Sequence, residues 1–385
     1  MLYFDHAATS SPKPKGVIDA VTNALEALSA NPGRSGHKLS LQAAEVVFET
    51  RKMAAELLGA PSPKHIWFYP NATYALNQAI LGFPIRQGGE IVTTVFEHNS
   101  VLRPLHHLQT EKDIQVTYAS GKTGSETARA VVDSISTSTD LIVINHASNV
   151  TGELIPLKDI AEKAKAVHAI LLVDASQTAG IIDINLERDG IDMVACPGHK
   201  GLQGPQGTGL LAVSKDLGLI PLIHGGTGNQ SELTHQPETW PERYEAGTVN
   251  TPGIAGLGAG LKALDELGGV AAIYQHEQII TSAFLSGIRE LETVKVVGSV
   301  DSDTRVAVVA FQLTGVNSQE AGIILDQHYQ MAVRSGLHCA PKLHEWFETS
   351  DEGLLRVSFG PYTTLEEVNQ LVQAIKELVD AFKSN

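Results

Sequence analysis

A chain of 385 residues exceeds one typical domain and is long enough for two with sizeable cores. A formal net charge of −15 argues against a broad nucleic-acid-binding surface, and the excess acid reads as an aid to solubility. Two cysteines cannot make a disulfide framework, MLYFDHAATS lacks the basic start and apolar core of a signal peptide, and no apolar run is long enough to span a bilayer, so a cytoplasmic, reducing setting is expected.

In chain order, HIWFY (65–69) reads as a short strand, with a helical pattern following from Thr73. EIVTTV (90–95), IQVTYA (114–119), LIVIN (141–145) and ILLVD (170–174) are β-branched runs bounded by turn residues. Helical periodicity covers 126–136 and 157–168 between them. Strands spaced by helices predict an α/β core with a mainly parallel sheet. Ligands of such sheets bind beyond the carboxyl ends of the strands. That rim would carry Asn71 to Thr73, Glu97 to Asn99, Asn145 to Asn149 and Asp174 to Gln177, each directly after a strand. Residues 225–241 read as a surface loop. After residue 255 the pattern changes to long helices over 256–268, 270–292 and 364–382, with strand-like VKVVG (294–298) and RVAVVAFQL (305–313) between them. This predicts a smaller α+β domain.

Several rim residues carry chemistry. Asp174, in VDASQ, either caps the next helix or pairs as a buried carboxylate with a cationic ring nitrogen, the partner that pyridoxal 5'-phosphate (PLP) requires. Lys200, in PGHKGLQGPQGTG, is a solvated charge or a lysine able to form a Schiff base from a turn at a strand end. His199 beside it could donate to a phosphate. The glycines match neither a dinucleotide fingerprint nor a Walker loop. NATYAL (71–76) opens a helix, where Asn71 caps and Ala72 and Thr73 could offer donors to an anion. His98, in FEHNS, is a structural histidine or one placed to stack on a ring and move protons. In RSGLHCAP (334–341), Cys339 is a buried small residue of a turn or a thiol placed to react. The spacing of His338, Cys339 and His344 matches no standard zinc pattern, and no metal is expected.

YFDHAATS, NPGRSGHKLS (31–40), EHNS, ASNVTGE (147–153), VDASQ, GHK, YEAGTVNTPGIAGLGAGL (244–261) and RSGLHCAP follow one another in an order that resembles the PLP-dependent cysteine desulfurases of the class V aminotransferase superfamily. The compact RSGLHCAP is similar to the short-loop group, which includes selenocysteine lyases. The resemblance implies a fold type I PLP-dependent transferase. It implies a large cofactor-binding domain over 15–255, and a small domain made of 1–14 and 256–385 that carries the cysteine loop. Lys200 would hold the cofactor covalently and, once freed by L-cysteine, remove the Cα proton. Asp174 would pair with the ring nitrogen, Gln177 would bond the ring hydroxyl, Asn149 would contact the cofactor near it, and His98 would stack on the ring. Ala72, Thr73 and His199 would hold the phosphate, joined by Thr248 from the partner of a homodimer. Arg356, in LRVSFG, would clamp the substrate carboxylate, and Arg334 and His338 would shape the surroundings of the thiol.

The reaction implied turns L-cysteine into L-alanine, with the sulfur carried as a persulfide on Cys339 to an acceptor protein. The alternatives are selenocysteine cleavage, another class V reaction such as transamination, or a non-catalytic scaffold on the same fold. Two positions depart from the pattern. Pro197 stands where members often carry Ser or Thr before GHK, and it supplies no hydroxyl. Leu337 replaces a polar residue, often His, before His338. Cys196 reads as a buried strand residue without a chemical role.

Overall fold

The structure, a computed structural model, describes residues 1–33 and 36–383; Arg34 and Ser35 of the NPGRSGHKLS motif lie outside the described residues. The larger sheet has seven strands in the order Ile66–Tyr69, Gly209–Val213, Met193–Pro197, Ile170–Asp174, Thr139–Asn145, Glu90–Thr94, Gln115–Ala119. Gly209–Val213 is antiparallel to both of its neighbours, and the remaining pairs are parallel. The sheet is therefore mainly parallel, as expected, with one reversed strand that the sequence reading did not mark.

Helices cover both faces of this sheet, which explains why its strands are apolar nearly throughout rather than alternating. Alternate residues of one strand still enter opposite layers. Ile142, Ile144, Leu171, Val173, Val194 and Cys196 pack in one core. Leu141, Val143, Leu172, Met193 and Ala195 pack in the other. The period of two along a strand divides them.

The second sheet is antiparallel, in the order Arg334–Gly336, Leu354–Ser358, Val308–Leu313, Val294–Val296. It has its own core, in which Phe311 and Val357 of the sheet meet Phe284 of the helix Gly269–Ile288 and Ile375 of the helix Leu365–Lys383. The N-terminus is tied to this part: Leu2–Tyr3 runs parallel to Met331–Ala332, and Asp5 bridges to Ser358.

Caps shift two helix boundaries from the sequence reading. Thr123 accepts from the Glu126 N–H and starts a helix at Gly124 rather than 126. Asn250 accepts from the Gly253 N–H ahead of Pro252 and starts another at Thr251 rather than 256.

Candidate active site

Parallel register sets the rim. Asn145 stands opposite Asp174, and Asp174 opposite Ala195, so their carboxyl ends are level. Lys200 follows Met193–Pro197 within a turn closed by bonds from the Gly198 N–H to Thr208 C=O (2.9 Å) and from the Gly204 N–H to Gly198 C=O (2.7 Å). Asp174 is 4% exposed, and its Oδ1 accepts from the Ser176 N–H at 2.9 Å. Among the described residues no hydrogen bond reaches its Oδ2 and no cation pairs with it. A buried carboxylate in this state needs a positive partner, and a protonated pyridine ring supplies one. The residues present therefore fit PLP.

The phosphate end fits as well. Asn71 is extended, and its side chain accepts from the Tyr74 N–H at 3.2 Å, starting the helix Ala72–Leu81. The N–H groups of Ala72 and Thr73 have no intrahelical acceptor and lie at the positive end of the helix dipole. The opposing strand approaches this point closely: a Cβ on Gly209 would stand 2.5 Å from the Asn71 carbonyl carbon and 2.9 Å from the Ala72 nitrogen. Thr73 Oγ1 lies 2.8 Å from Ser100 Oγ, which lies 2.8 Å from His98 Nδ1. Ser100 thus links the helix start at Asn71 to the histidine, a role that the sequence reading missed although Ser100 stands within EHNS. His98 also caps the helix Asn99–Lys112, its Nδ1 accepting from the Ser100 N–H at 3.1 Å. Burial, opposed by Asp174 and reinforced by Lys200, lowers its pKa to about 4, so the ring is neutral.

Lys200 lies in the field of Arg356, Asp174, Arg334 and Asp5. The residue as a whole is half-buried. Loss of hydration, with the two arginines, lowers its pKa to about 8. A sizeable fraction of neutral amine near neutral pH suits both a Schiff-base nucleophile and a proton acceptor.

Arg334 and Arg356 are direct cross-strand partners, so their side chains leave the same face. Two like charges in that arrangement favour a bound carboxylate. Arg356, 2% exposed, donates from Nη1 to Asn149 C=O (2.9 Å) and from Nη2 to Asp5 Oδ1 (2.6 Å), while its buried Nε has no partner. Asp5, inside YFDHAATS, is a second residue that the sequence reading did not single out.

The cysteine segment is bonded to the same centre. Cys339 is exposed, in a left-handed turn with φ 58° that follows His338 at φ 49°. The turn is tied down, not loose. The Asn99 N–H donates to Cys339 C=O at 2.8 Å, and the Ala340 N–H to Leu337 C=O at 3.0 Å. Asn149 Nδ2 donates to His338 C=O at 2.8 Å and leaves a buried Oδ1 bare. His338 itself is buried, and its Nε2–H donates to Leu354 C=O at 3.1 Å. Burial and the nearby Arg356 push its pKa far down, so it brings no positive charge to the thiol. Leu337 is 43% exposed beside it.

Lys200, Asp174, His98, Asn149, Arg334, Arg356, His338 and Cys339 are thus joined by bonds or fields into one centre. Gln177 lines a cavity shared with Lys200, and its Nε2 donates to Ala7 C=O at 3.1 Å. His199 is half-buried, and its Nδ1 lies 3.1 Å from Thr9 Oγ1, so its bond runs to the N-terminal segment rather than to Thr73 or Ser100. Thr248 is exposed on a different cavity, with Tyr69, Tyr74 and Gly209. Cys196 is fully buried, and burial pushes its thiol pKa up, as its strand position implied.

The profile of the family described as Aminotransferase class-V matches residues 2–371. A probable cysteine desulfurase of Pyrococcus abyssi is 33% identical over 100% of this chain and 96% of that protein. A cysteine desulfurase of Yersinia pestis is 30% identical over 98% of this chain and 93% of that one. The apo structure of the cysteine desulfurase from Thermococcus onnurineus NA1 superposes with a TM-score of 0.91 at 32% identity, covering 99% of this chain and 95% of that one.

Proposed function

From a chain that belongs to the Aminotransferase class-V family, we infer a PLP-dependent cysteine desulfurase, which converts L-cysteine to L-alanine. The reading rests above all on one contact. The backbone of the exposed Cys339 is bonded to Asn99, beside His98 and within the Lys200 centre. A thiol in an unrelated surface turn would have no reason to stand there.

In this reading Ala72 and Thr73 offer N–H groups and a hydroxyl to the cofactor phosphate, with His199 a further donor through its ring. Asp174 would pair with the ring nitrogen, Asn149 and Gln177 would hold the ring hydroxyl, and the neutral His98 would stack on the ring. Bound there, PLP supplies an electron sink for the charge left at Cα when its proton is removed. Arg356 and Arg334 hold the substrate carboxylate by charge-assisted hydrogen bonds, which fixes the Cα–H toward the lysine. The neutral Lys200 amine takes that proton. The Cys339 thiolate attacks the substrate sulfur: an S–S bond forms, the C–S bond breaks, its electron pair stays with Cβ, and protonation of Cβ together with return of a proton to Cα gives alanine. The persulfide on Cys339 then passes its outer sulfur to an acceptor protein and regains a thiol. His338 acts by holding the turn rather than by charge. A homodimer, in which the exposed Thr248 reaches the partner's phosphate site, completes the proposal, as does a cytoplasmic location. Among the described residues no helix is long and apolar enough to cross a membrane.

The test is to incubate the holoenzyme with L-cysteine and locate the residue carrying one added sulfur by mass spectrometry. Cys339 is expected to carry it, and Cys339→Ala to release no alanine from L-cysteine. Unchanged turnover in that variant would sink the proposed nucleophile.

A further inference from the structure

Between the two sheets, beside Lys200, lies a small cavity with about 30 Å³ of room for water centres. Lys200, Gln203 and Gln177 of the larger part, His6 of the N-terminal segment and Glu277 of the helix Gly269–Ile288 line it, with Gly360 at one side. Three polar atoms of these residues are buried without a partner among the described residues: Glu277 Oε2, Gln203 Oε1 and His6 Nδ1. Glu277 and Gln203 are each 2% exposed. Leaving such an atom unsatisfied destabilises the fold. Three around one cavity, with space for roughly two waters, mark a place that water fills.

The donors and acceptors match. His6 has a hydrogen bond to the Tyr3 backbone, and burial lowers its pKa to about 4, so its bare Nδ1 accepts. Gln203 Oε1 accepts. Burial alone raises the Glu277 carboxyl to about 8, so at neutral pH it is a protonated acid able to donate. The titratable groups on the cavity are Lys200, His6 and Glu277. Val306, Val308 and Phe359 bring apolar side chains, and Ser10 and Ser176 neutral ones. Beyond the cavity, Lys13 acts on His6, and Glu277 acts on Tyr274 of its own helix.

We propose that this cavity is a water-binding site that couples Glu277 to the Lys200 amine, with Glu277 as a positioning residue that holds the proton the lysine gives up. The exchange balances. Near pH 8, where part of the Glu277 carboxyl is ionised, a Lys200 ammonium passes one proton through water to the Glu277 carboxylate, leaving a neutral amine and a neutral acid, and the reverse step restores both charges. Opposite shifts bring the two groups to about 8, so the proton moves between them at little cost. No residue of the segment 334–341 lines this cavity. The lysine could thus be reset to its neutral form without using the thiol's proton.

The water site stands on geometry alone, whereas the coupling rests on the desulfurase reading. Infrared difference spectra of the holoenzyme are expected to show two protonated carboxyls titrating near pH 8, those of Glu97 and Glu277, and Glu277→Gln is expected to remove one of them. A crystal structure of the holoenzyme is expected to show water bonded to Glu277 and Gln203. A dry cavity, or an unchanged carboxyl signal in the variant, overturns the site. Glu277→Gln is further expected to lower kcat at least about tenfold with KM for L-cysteine unchanged, and to flatten the kcat profile near pH 8. An unchanged profile overturns the coupling. Should Glu277→Gln fold poorly, Gln203→Met removes one acceptor and leaves the acid in place; it is expected to shift the carboxyl titration, and no shift overturns the site. Alanine absent from wild-type reactions, with the carboxyl signal intact, overturns the desulfurase reading alone.

Discussion

Arg356 shows how much a single side chain depends on its neighbours. Its guanidinium is already half satisfied by Asp5 and Asn149, and in the proposed reading Nε and the opposing Arg334 are left for the substrate carboxylate. Arg356→Lys keeps the charge but loses the fork, so KM for L-cysteine is expected to rise by about 30-fold, the equivalent of ~2 kcal/mol, with a smaller change in kcat. Steady-state kinetics checks this. The neutral His338 gives a second expectation at this scale. If it acts only through its bond to Leu354, His338→Gln leaves the pH profile of Cys339 alkylation in place and alters only how the turn is held. A displaced alkylation profile would restore a role for its charge.

At the level of elements, the turn proposed to bind the phosphate depends on two pieces of chain meeting without a side chain between them. Asn71 starts a helix, and Gly209 opens the one reversed strand of the sheet beside it. A Cβ at Gly209 would meet backbone atoms, which cannot swing aside as a flexible side chain would. Gly209→Ala is therefore expected to cost about 2 kcal/mol of stability, and to weaken PLP retention as the Ala72 and Thr73 N–H groups move. Denaturant midpoints and a cofactor titration by absorbance read the two effects separately; unaltered cofactor affinity would remove this turn from the phosphate site. The sequence suggested the helix start through NATYAL. It gave no sign of the strand, because Gly-Leu-Leu-Ala-Val lacks the β-branched density of its neighbours.

For the whole molecule, buried ionisable groups make stability depend on pH in opposed ways. Burial, mainly, lifts Glu97 and Glu277 from 4.5 to about 8. The folded state then holds protons that the unfolded chain has released. Their contribution is complete below 4.5 and is lost as pH rises to about 8. His6, His98, His146 and His199 are lowered from 6.5 to about 4, so their contribution is complete above 6.5 and is lost as pH falls toward 4. Between 6.5 and about 8 the carboxyls act with these histidines already neutral. Wild-type stability is expected to decline across that window, and Glu97→Gln with Glu277→Gln to flatten the decline. Equal slopes in both proteins by chemical denaturation would contradict the burial argument.

By itself the sequence determined the alternation of strands and helices, the rim positions that follow each strand, and, through its ordered motifs, a resemblance to a PLP-dependent family. Strand ends, helix caps and turn glycines are local signals, each written within a few adjacent residues. Only the tertiary structure decided which distant residues share a field or a bond. It brought Asp5 to Arg356, Ser100 between Thr73 and His98, and Asn99 to Cys339. It also decided that His338 is neutral and that Glu277 stands beside the lysine cavity. Those outcomes turn on burial and on contacts across hundreds of residues, and a carboxyl or imidazole in a sequence carries no mark of how much water it will keep.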